Sequence, residues 1–228
     1  MPEKILVTGA FGQIGTELVE ALQKKYGTEN IVALGHHNIP ADFKGLLEKG
    51  STEDKEFIDT LMKKHKITQI YHLASILSAT GEKNPQLAWD VNVTSLKNIL
   101  DLAVAHKAKV LLPSSIAVFG PTTPRKNTPQ HTMMEPTTMY GVTKVTGELL
   151  CQYYFMRYGL DVRGIRYPGL ISWKTEPGGG TTDYAVAIFY DAIKAGKYAC
   201  YLRDDSTMPM MYMDDAIKGT IQIMEAAP

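Results

Sequence analysis

The chain has 228 residues, enough to bury a sizeable core, and its 24 basic side chains balance 24 acidic ones. A formal net charge of zero leaves no field that would gather nucleic acid or an anionic membrane surface. No run is apolar enough to span a bilayer. The two cysteines, Cys151 and Cys200, form neither a disulfide framework nor a metal pattern, so no metal is expected and reduced thiols in a cytoplasmic protein are.

In chain order, Met1-Pro-Glu-Lys runs straight into the apolar Ile5 to Thr8, a buried strand that leaves no room for a secretory or transit peptide. Gly9 breaks that strand. Ile14 to Lys25 has helical periodicity, and Ile31 to Leu34 is a second short strand. Leu46 to Thr52 has only weak strand character. Phe57 to His65 reads as a helix, Gln69 to Ala74 as a strand, and Trp89 to His106 as one long amphipathic helix. Lys109 to Leu112 is a strand leading to Ser114-Ser115. Tyr140 to Tyr158 is a helix and Asp161 to Arg166 a strand. The basic clusters Lys24-Lys25 and Lys63-Lys64-His65-Lys66 read as solvated helix faces.

Strands alternating with helices predict an α/β fold, a Rossmann-like doubly wound parallel sheet. Strands apolar on both faces suit such a sheet. Residues 1–170 are expected to form the dinucleotide-binding part. Residues 171–228 are expected to supply a small, incomplete C-terminal substrate lobe and a return to the sheet. Three segments break the rhythm: Gly120 to Pro136 as a long ordered loop, Glu176 to Thr182 as a glycine-rich loop opening a helix near Asp183, and Arg203 to Met211 as a turn.

Two motifs carry chemistry. Gly9, Gly12 and Gly15 follow a strand and open a helix, the context in which a glycine loop cradles a pyrophosphate. Their Gly-x-x-Gly-x-x-Gly spacing is looser than the usual dinucleotide fingerprint. Downstream, Tyr140 and Lys144 stand four apart on one helix face. An ammonium beside the phenol is expected to lower its pKa from about 10 and make it a usable general base. Ser115, just past a strand at the carboxyl edge of the sheet, is placed to hydrogen-bond the oxygen that Tyr140 deprotonates. A turn or cap role for Ser115 is the plainer alternative.

One expected piece is missing. The acid that should bond the adenine ribose about 20 residues on is replaced by Leu34-Gly35-His36-His37-Asn38, and the first acid is Asp42. No arginine stands there for a 2′-phosphate. NAD is the favoured cofactor, with NADP left open through His36 or His37.

The glycine motif, Ser114-Ser-Ile-Ala-Val-Phe-Gly120 and Tyr140-x-x-x-Lys144 together resemble the extended short-chain dehydrogenase/reductase family. Five longer stretches are similar to its L-threonine 3-dehydrogenase branch. They are Gln69 to Thr80, Phe119 to Pro124, Arg166 to Trp173, Pro177 to Tyr184 and Leu202 to Met213. The resemblance implies oxidation of L-threonine to 2-amino-3-oxobutanoate, with Tyr140 taking the proton, Lys144 supporting it and bonding the nicotinamide ribose, and Ser115 orienting the hydroxyl. It further implies cofactor contacts from Gly9, Gly12, Gln13, Ile14, Gly15, Leu73, Ala74, Ser75, Asn92, Tyr167, Pro168 and Leu170. Ser78, Thr181 and Thr182 would meet the amino acid under a lid at Gly178 to Gly180, and two long helices would pair a homodimer. Family chains also carry an Asp after the third strand and extend further at the carboxyl end, so the adenosine half and a pocket open on one side are expected departures. A sugar-nucleotide epimerase or dehydratase of the same fold, or a dinucleotide-binding sensor without turnover, are the rival readings.

Overall fold

The computed structural model describes residues 3–175, 180 and 182–227. Six parallel strands form the central sheet: β1 (Ile5–Thr8), β2 (Ile31–Leu34), β3 (Leu46–Glu48), β4 (Gln69–His72), β5 (Lys109–Ser115) and β6 (Val162–Tyr167). Their spatial order is β3-β2-β1-β4-β5-β6. The order reverses between β1 and β4, and a sheet of this kind binds its ligand at that switch point, outside the carboxyl ends of the strands.

The alternation of β1 builds both cores. Ile5 and Val7 face α1 (Gln13–Tyr26) and α8 (Met213–Glu225) in one fully buried cluster with Met213, Ile217 and Met224. Leu6 points the other way, into a cluster with Ile58 and Met62 of α2 (Lys55–His65) and Leu96, Ile99 and Leu100 of α5 (Ser95–His106). At roughly 25 cal/mol per Å² of apolar area, these two layers supply most of the driving force for folding. The helix α6 (Met139–Tyr158) packs beside α5 on the second face.

Several expected boundaries move, each for a local reason. The helix expected from Trp89 begins earlier, as α4 (Pro85–Trp89). Asn84 caps it by accepting from Leu87 N, and Pro85 takes the first helical position, where no donor is lost. It then passes through one π turn at Asp90–Thr94 before α5, so the run to His106 is not one regular helix. Residues 46–48 form a genuine strand at the sheet edge, paired only with β2. A short helix α3 (Ser78–Lys83) follows β4. The segment expected to be only a turn after Arg203 ends in β8 (Met210–Tyr212), which pairs with β7 (Gly169–Ile171) in a second, two-stranded parallel sheet. The helix expected near Asp183 is α7 (Tyr184–Ala195). Gly120 to Pro136 carries no helix or strand. Thr123 Oγ1 donates to Met133 O, and Arg166 reaches Gln130 O, so the loop is tied at both levels. Lys63 and Lys64 are exposed as expected, but His65 is largely covered and meets Glu48 at 2.6 Å. No helix among the described residues is long and apolar enough to cross a membrane.

Candidate active site

β1 ends in Gly9, whose φ of +64° an L side chain rarely adopts, and a Cβ there would lie 2.8 Å from Ala74 N. Gly15 is tighter still: its Cβ would fall 2.2 Å from Gly9 O. Gly12 caps α1 with no side chain over the helix end, and the first turn holds no acid. The first amides of α1 are thus open to an anion, and the helix dipole favours one. The backbone here has the shape a pyrophosphate needs, so the pyrophosphate half of a dinucleotide fits.

β4 delivers the opposite wall. Thr8 Oγ1 accepts from Ala74 N at 3.2 Å and bonds His72 Nδ1 at 2.9 Å. His72 is buried, and Ser95, 3.4 Å from its Nε2, donates onward to Val91 O. Ser95 spends its proton on Val91, so His72 donates from Nε2 and accepts from Thr8 at Nδ1. That is the neutral ring, and burial, with Lys144 nearby, pulls its pKa down to about 3.

Asn92 sits in the π turn and is fully used: it accepts from Ser75 Oγ and Ile76 N and donates to Ile76 O and Thr143 Oγ1. Thr143 in turn donates to Tyr140 O. One amide thereby joins the loop after β4 to the first turn of α6.

β5 carries Pro113, Ser114 and Ser115 to the cleft. Ser115 Oγ accepts from Ala117 N at 3.2 Å, the turn-capping role, and also bonds the Tyr140 hydroxyl. Both roles coexist because a hydroxyl accepts and donates at once. Lys144 is buried, four residues along the same face of α6, with Nζ 5.3 Å from the Tyr140 ring centre and 2.9 Å from Pro113 O. Behind them Arg166 makes a two-point contact with Glu148, at 2.8 and 2.7 Å, while Ser114 donates to the same carboxylate.

The expected lowering of the Tyr140 pKa is not what this arrangement does. Burial pushes the phenol up to about 12, and the Ser115 hydrogen bond only partly offsets that. Lys144 donates one hydrogen bond to a backbone carbonyl, Pro113 O, and its nitrogen lies over the Tyr140 ring. Its own burial brings the amine down to about 8. At neutral pH the pair is a protonated phenol beside an amine close to its titration point.

A cleft of about 480 Å³ unites these parts. Of the residues expected around the cofactor, Gly9, Gly12, Gln13, Ile14, Gly15, Leu73, Ser75, Tyr140, Lys144, Tyr167, Pro168 and Leu170 line it. Ser78, Ser115 and Thr182 of the expected substrate contacts line it too. Ala74 and Asn92 do not; both brace the wall through the bonds above. Thr181, Gly178 and Gly179 lie outside the described residues. Leu77, Pro113, Ile116, Ala117, Asp183 and Met208 also line the cleft without having been singled out. Pro113 and Ile116 flank the Ser-Ser pair and were within reach of the sequence; Met208 was not, since only the β7–β8 pairing brings it in. A second hollow, about 540 Å³, runs along β6, but its arginines are already committed, Arg163 to Asp161 and Arg166 to Glu148.

The sequence matches the family model described as the NAD dependent epimerase/dehydratase family over residues 5–228. Among solved structures, a monomeric L-threonine 3-dehydrogenase from a metagenome is 53% identical, with a TM-score of 0.95, over 98% of this chain and 72% of that one. The L-threonine dehydrogenase of Clostridium difficile is 46% identical, also with a TM-score of 0.95, over 99% of this chain and 72% of its own. An uncharacterized epimerase/dehydratase of Staphylococcus haemolyticus is 49% identical over 227 residues, 98% of this chain and 71% of that protein. With a glycine cradle, a doubly wound parallel sheet and a Ser-Tyr-Lys set in one cleft, the chain belongs to the NAD dependent epimerase/dehydratase family, and it is an oxidoreductase that uses NAD.

Proposed function

We propose that this chain oxidises the β-hydroxyl of L-threonine to 2-amino-3-oxobutanoate. The observation that supports this best is the meeting of Ser115, Tyr140 and Lys144 at one end of the glycine cleft, in a chain about half identical to two L-threonine dehydrogenases. NAD supplies the hydride acceptor when bound. The chain's own residues handle the proton and the geometry. Ser115 orients the substrate hydroxyl. The oxygen of Tyr140 is the proton's destination, which requires the phenolate. Substrate and cofactor close the cleft, and the ammonium of Lys144 then becomes the counter-charge that stabilises the phenolate in a water-poor site. Ser78 and Thr182 would face the amino acid's polar groups from α3 and from the turn just before α7. Lys144 would also hold the nicotinamide ribose, while Asn92 joins the loop after β4 to the first turn of α6.

A sugar-nucleotide substrate is the second reading, favoured by the family's name. Turnover of UDP- or GDP-sugars without turnover of L-threonine would establish it. The decisive test is the rise of nicotinamide absorbance with L-threonine and NAD in native protein and in Tyr140→Phe. The variant is expected to keep cofactor affinity and lose about 10²-fold or more in kcat. Retained turnover would remove Tyr140 from proton transfer.

In this reading the protein works in threonine catabolism in the cytoplasm as a homodimer. Val142, Leu149, Tyr153 and Met156 repeat along one face of α6, from 38% to 67% exposed. Sedimentation of Leu149→Glu as a monomer, against a native dimer, is the expected outcome.

A further inference from the structure

In a doubly wound sheet the turn after the second strand receives the adenosine ribose. A carboxylate at that turn accepts from the ribose hydroxyls, and it also repels a phosphate on the 2′-oxygen, so it selects by exclusion as well as by attraction. This chain has Gly35 at that turn instead of a carboxylate, and the position is blocked. A Cβ at residue 35 would stand 2.7 Å from Phe11 Cδ2. Phe11 is held by packing: it is 7% exposed and lies edge-on against Phe43 with ring centres 5.1 Å apart. The glycine loop's own ring fills the space from which an acid would project.

Gly35-His-His-Asn-Ile-Pro-Ala41 contains no carboxylate, and the next residue, Asp42, is exposed. Lys49-Gly-Ser-Thr52 after β3 contains none either; beyond it Glu53 accepts from Ser51 Oγ and Asp54 caps α2 by accepting from Phe57 N. Glu48, at the end of β3, lies 2.6 Å from both Lys64 and His65, so its charge is answered locally. What the turn presents instead is basic. The exposed rings of His36 and His37 lie 4.1 Å apart, and His36 Nδ1 is 3.3 Å from Gly50 O. Lys49, next to that carbonyl, is exposed and forms no ion pair among the described residues. Nitrogen donors are the chemistry that a phosphate monoester takes.

We propose that the adenosine end of the cleft admits a phosphorylated ribose, so that the chain binds NADP comparably with NAD and His36 and His37 receive the 2′-phosphate. The inference rests on the reading of the cleft as a dinucleotide site and extends it to the choice between the two dinucleotides.

The test is a titration of the native chain with NADH and with NADPH, read by nicotinamide fluorescence and independent of turnover. The two Kd values are expected to lie within about ten-fold of each other, which corresponds to about 1.4 kcal/mol. In His36→Ala/His37→Ala, NADPH should weaken by about five-fold or more while NADH moves by less than about two-fold, since only the phosphate loses partners. NADPH binding more than about ten-fold weaker than NADH in the native chain overturns the proposal. So does a double variant that loses both dinucleotides equally or neither. Absence of binding by either dinucleotide would overturn the dinucleotide reading itself, a result distinct from NADH binding alone. Because both histidines are exposed, the double variant removes no core packing.

Discussion

Acidification should unfold this protein through His72. The ring is fully buried and already satisfied as a neutral group, accepting from Thr8 at Nδ1 and donating toward Ser95 at Nε2. A proton on Nδ1 would point at an oxygen whose own hydrogen is directed back at the ring, with the cation Lys144 close by. The folded ring therefore titrates at about 3 against 6.5 when free. Between those values the unfolded chain holds the extra proton, so stability falls as pH falls, at about 1.4 kcal/mol per pH unit. From pH 7.0 to 4.5 the loss attributable to this one ring is about 2 to 3 kcal/mol, a large share of a typical total. The comparison is His72→Gln, whose amide can accept from Thr8 and donate toward Ser95 without ever charging. Urea unfolding at the two pH values should show the native protein losing about 2 kcal/mol more than the variant. The carboxylates held low by partners, Glu48 and Glu148 among them, contribute equally to both proteins and cancel. An equal loss in the two proteins would refute the assignment of His72 as a buried neutral ring.

Three further outcomes follow from the geometry. Gly15→Ala should cost about 3 kcal/mol and abolish dinucleotide binding, because its Cβ would overlap Gly9 O; thermal unfolding with and without NADH measures both. Asn92→Ala leaves the amide and carbonyl of Ile76 without partners, a loss of about 3 kcal/mol in urea unfolding, and native-like stability would show that water replaces the amide. Arg166→Met leaves the Glu148 carboxylate with the Ser114 hydroxyl but no cation and frees Gln130 O, so about 3 kcal/mol should be lost and limited proteolysis should accelerate between Gly120 and Pro136.

The frame of this molecule is legible in its sequence because local and global signals agree. Ile5 to Val7 and Ile31 to Leu34 are apolar at every position, as strands buried on both faces must be, and Gly9 marks the turn between strand and helix. The edge strand at Leu46–Glu48 left a weaker trace, since it pairs on one side only and its residues stay partly exposed. The regular spacing of Met213, Ala216, Ile217, Thr220 and Ile221 did mark α8, and a reading that stopped at Met211 missed it.

The site divides along the same line. Spacing four on a helix was enough to bring Tyr140 and Lys144 to one face. That Lys144 would donate a hydrogen bond to Pro113 O was not readable, because the acceptor comes from a strand 31 residues earlier. Asn92 shows the limit most clearly. Its residue type and place on a helix were visible, but the π turn and the four bonds that consume its amide exist only once β4, α5 and α6 are assembled.

The contact between Phe11 and residue 35 also bears on how this lineage can change. A mutation that installs an acid at 35 meets the ring at 11 and is penalised before any benefit at the ribose appears. Shrinking residue 11 first gives up the packing on Phe43, a loss with no immediate gain. Either order passes through a less fit intermediate, so the two positions are coupled and their histories cannot be independent. Descendants of such a chain should either keep glycine opposite an aromatic ring or have exchanged both residues together.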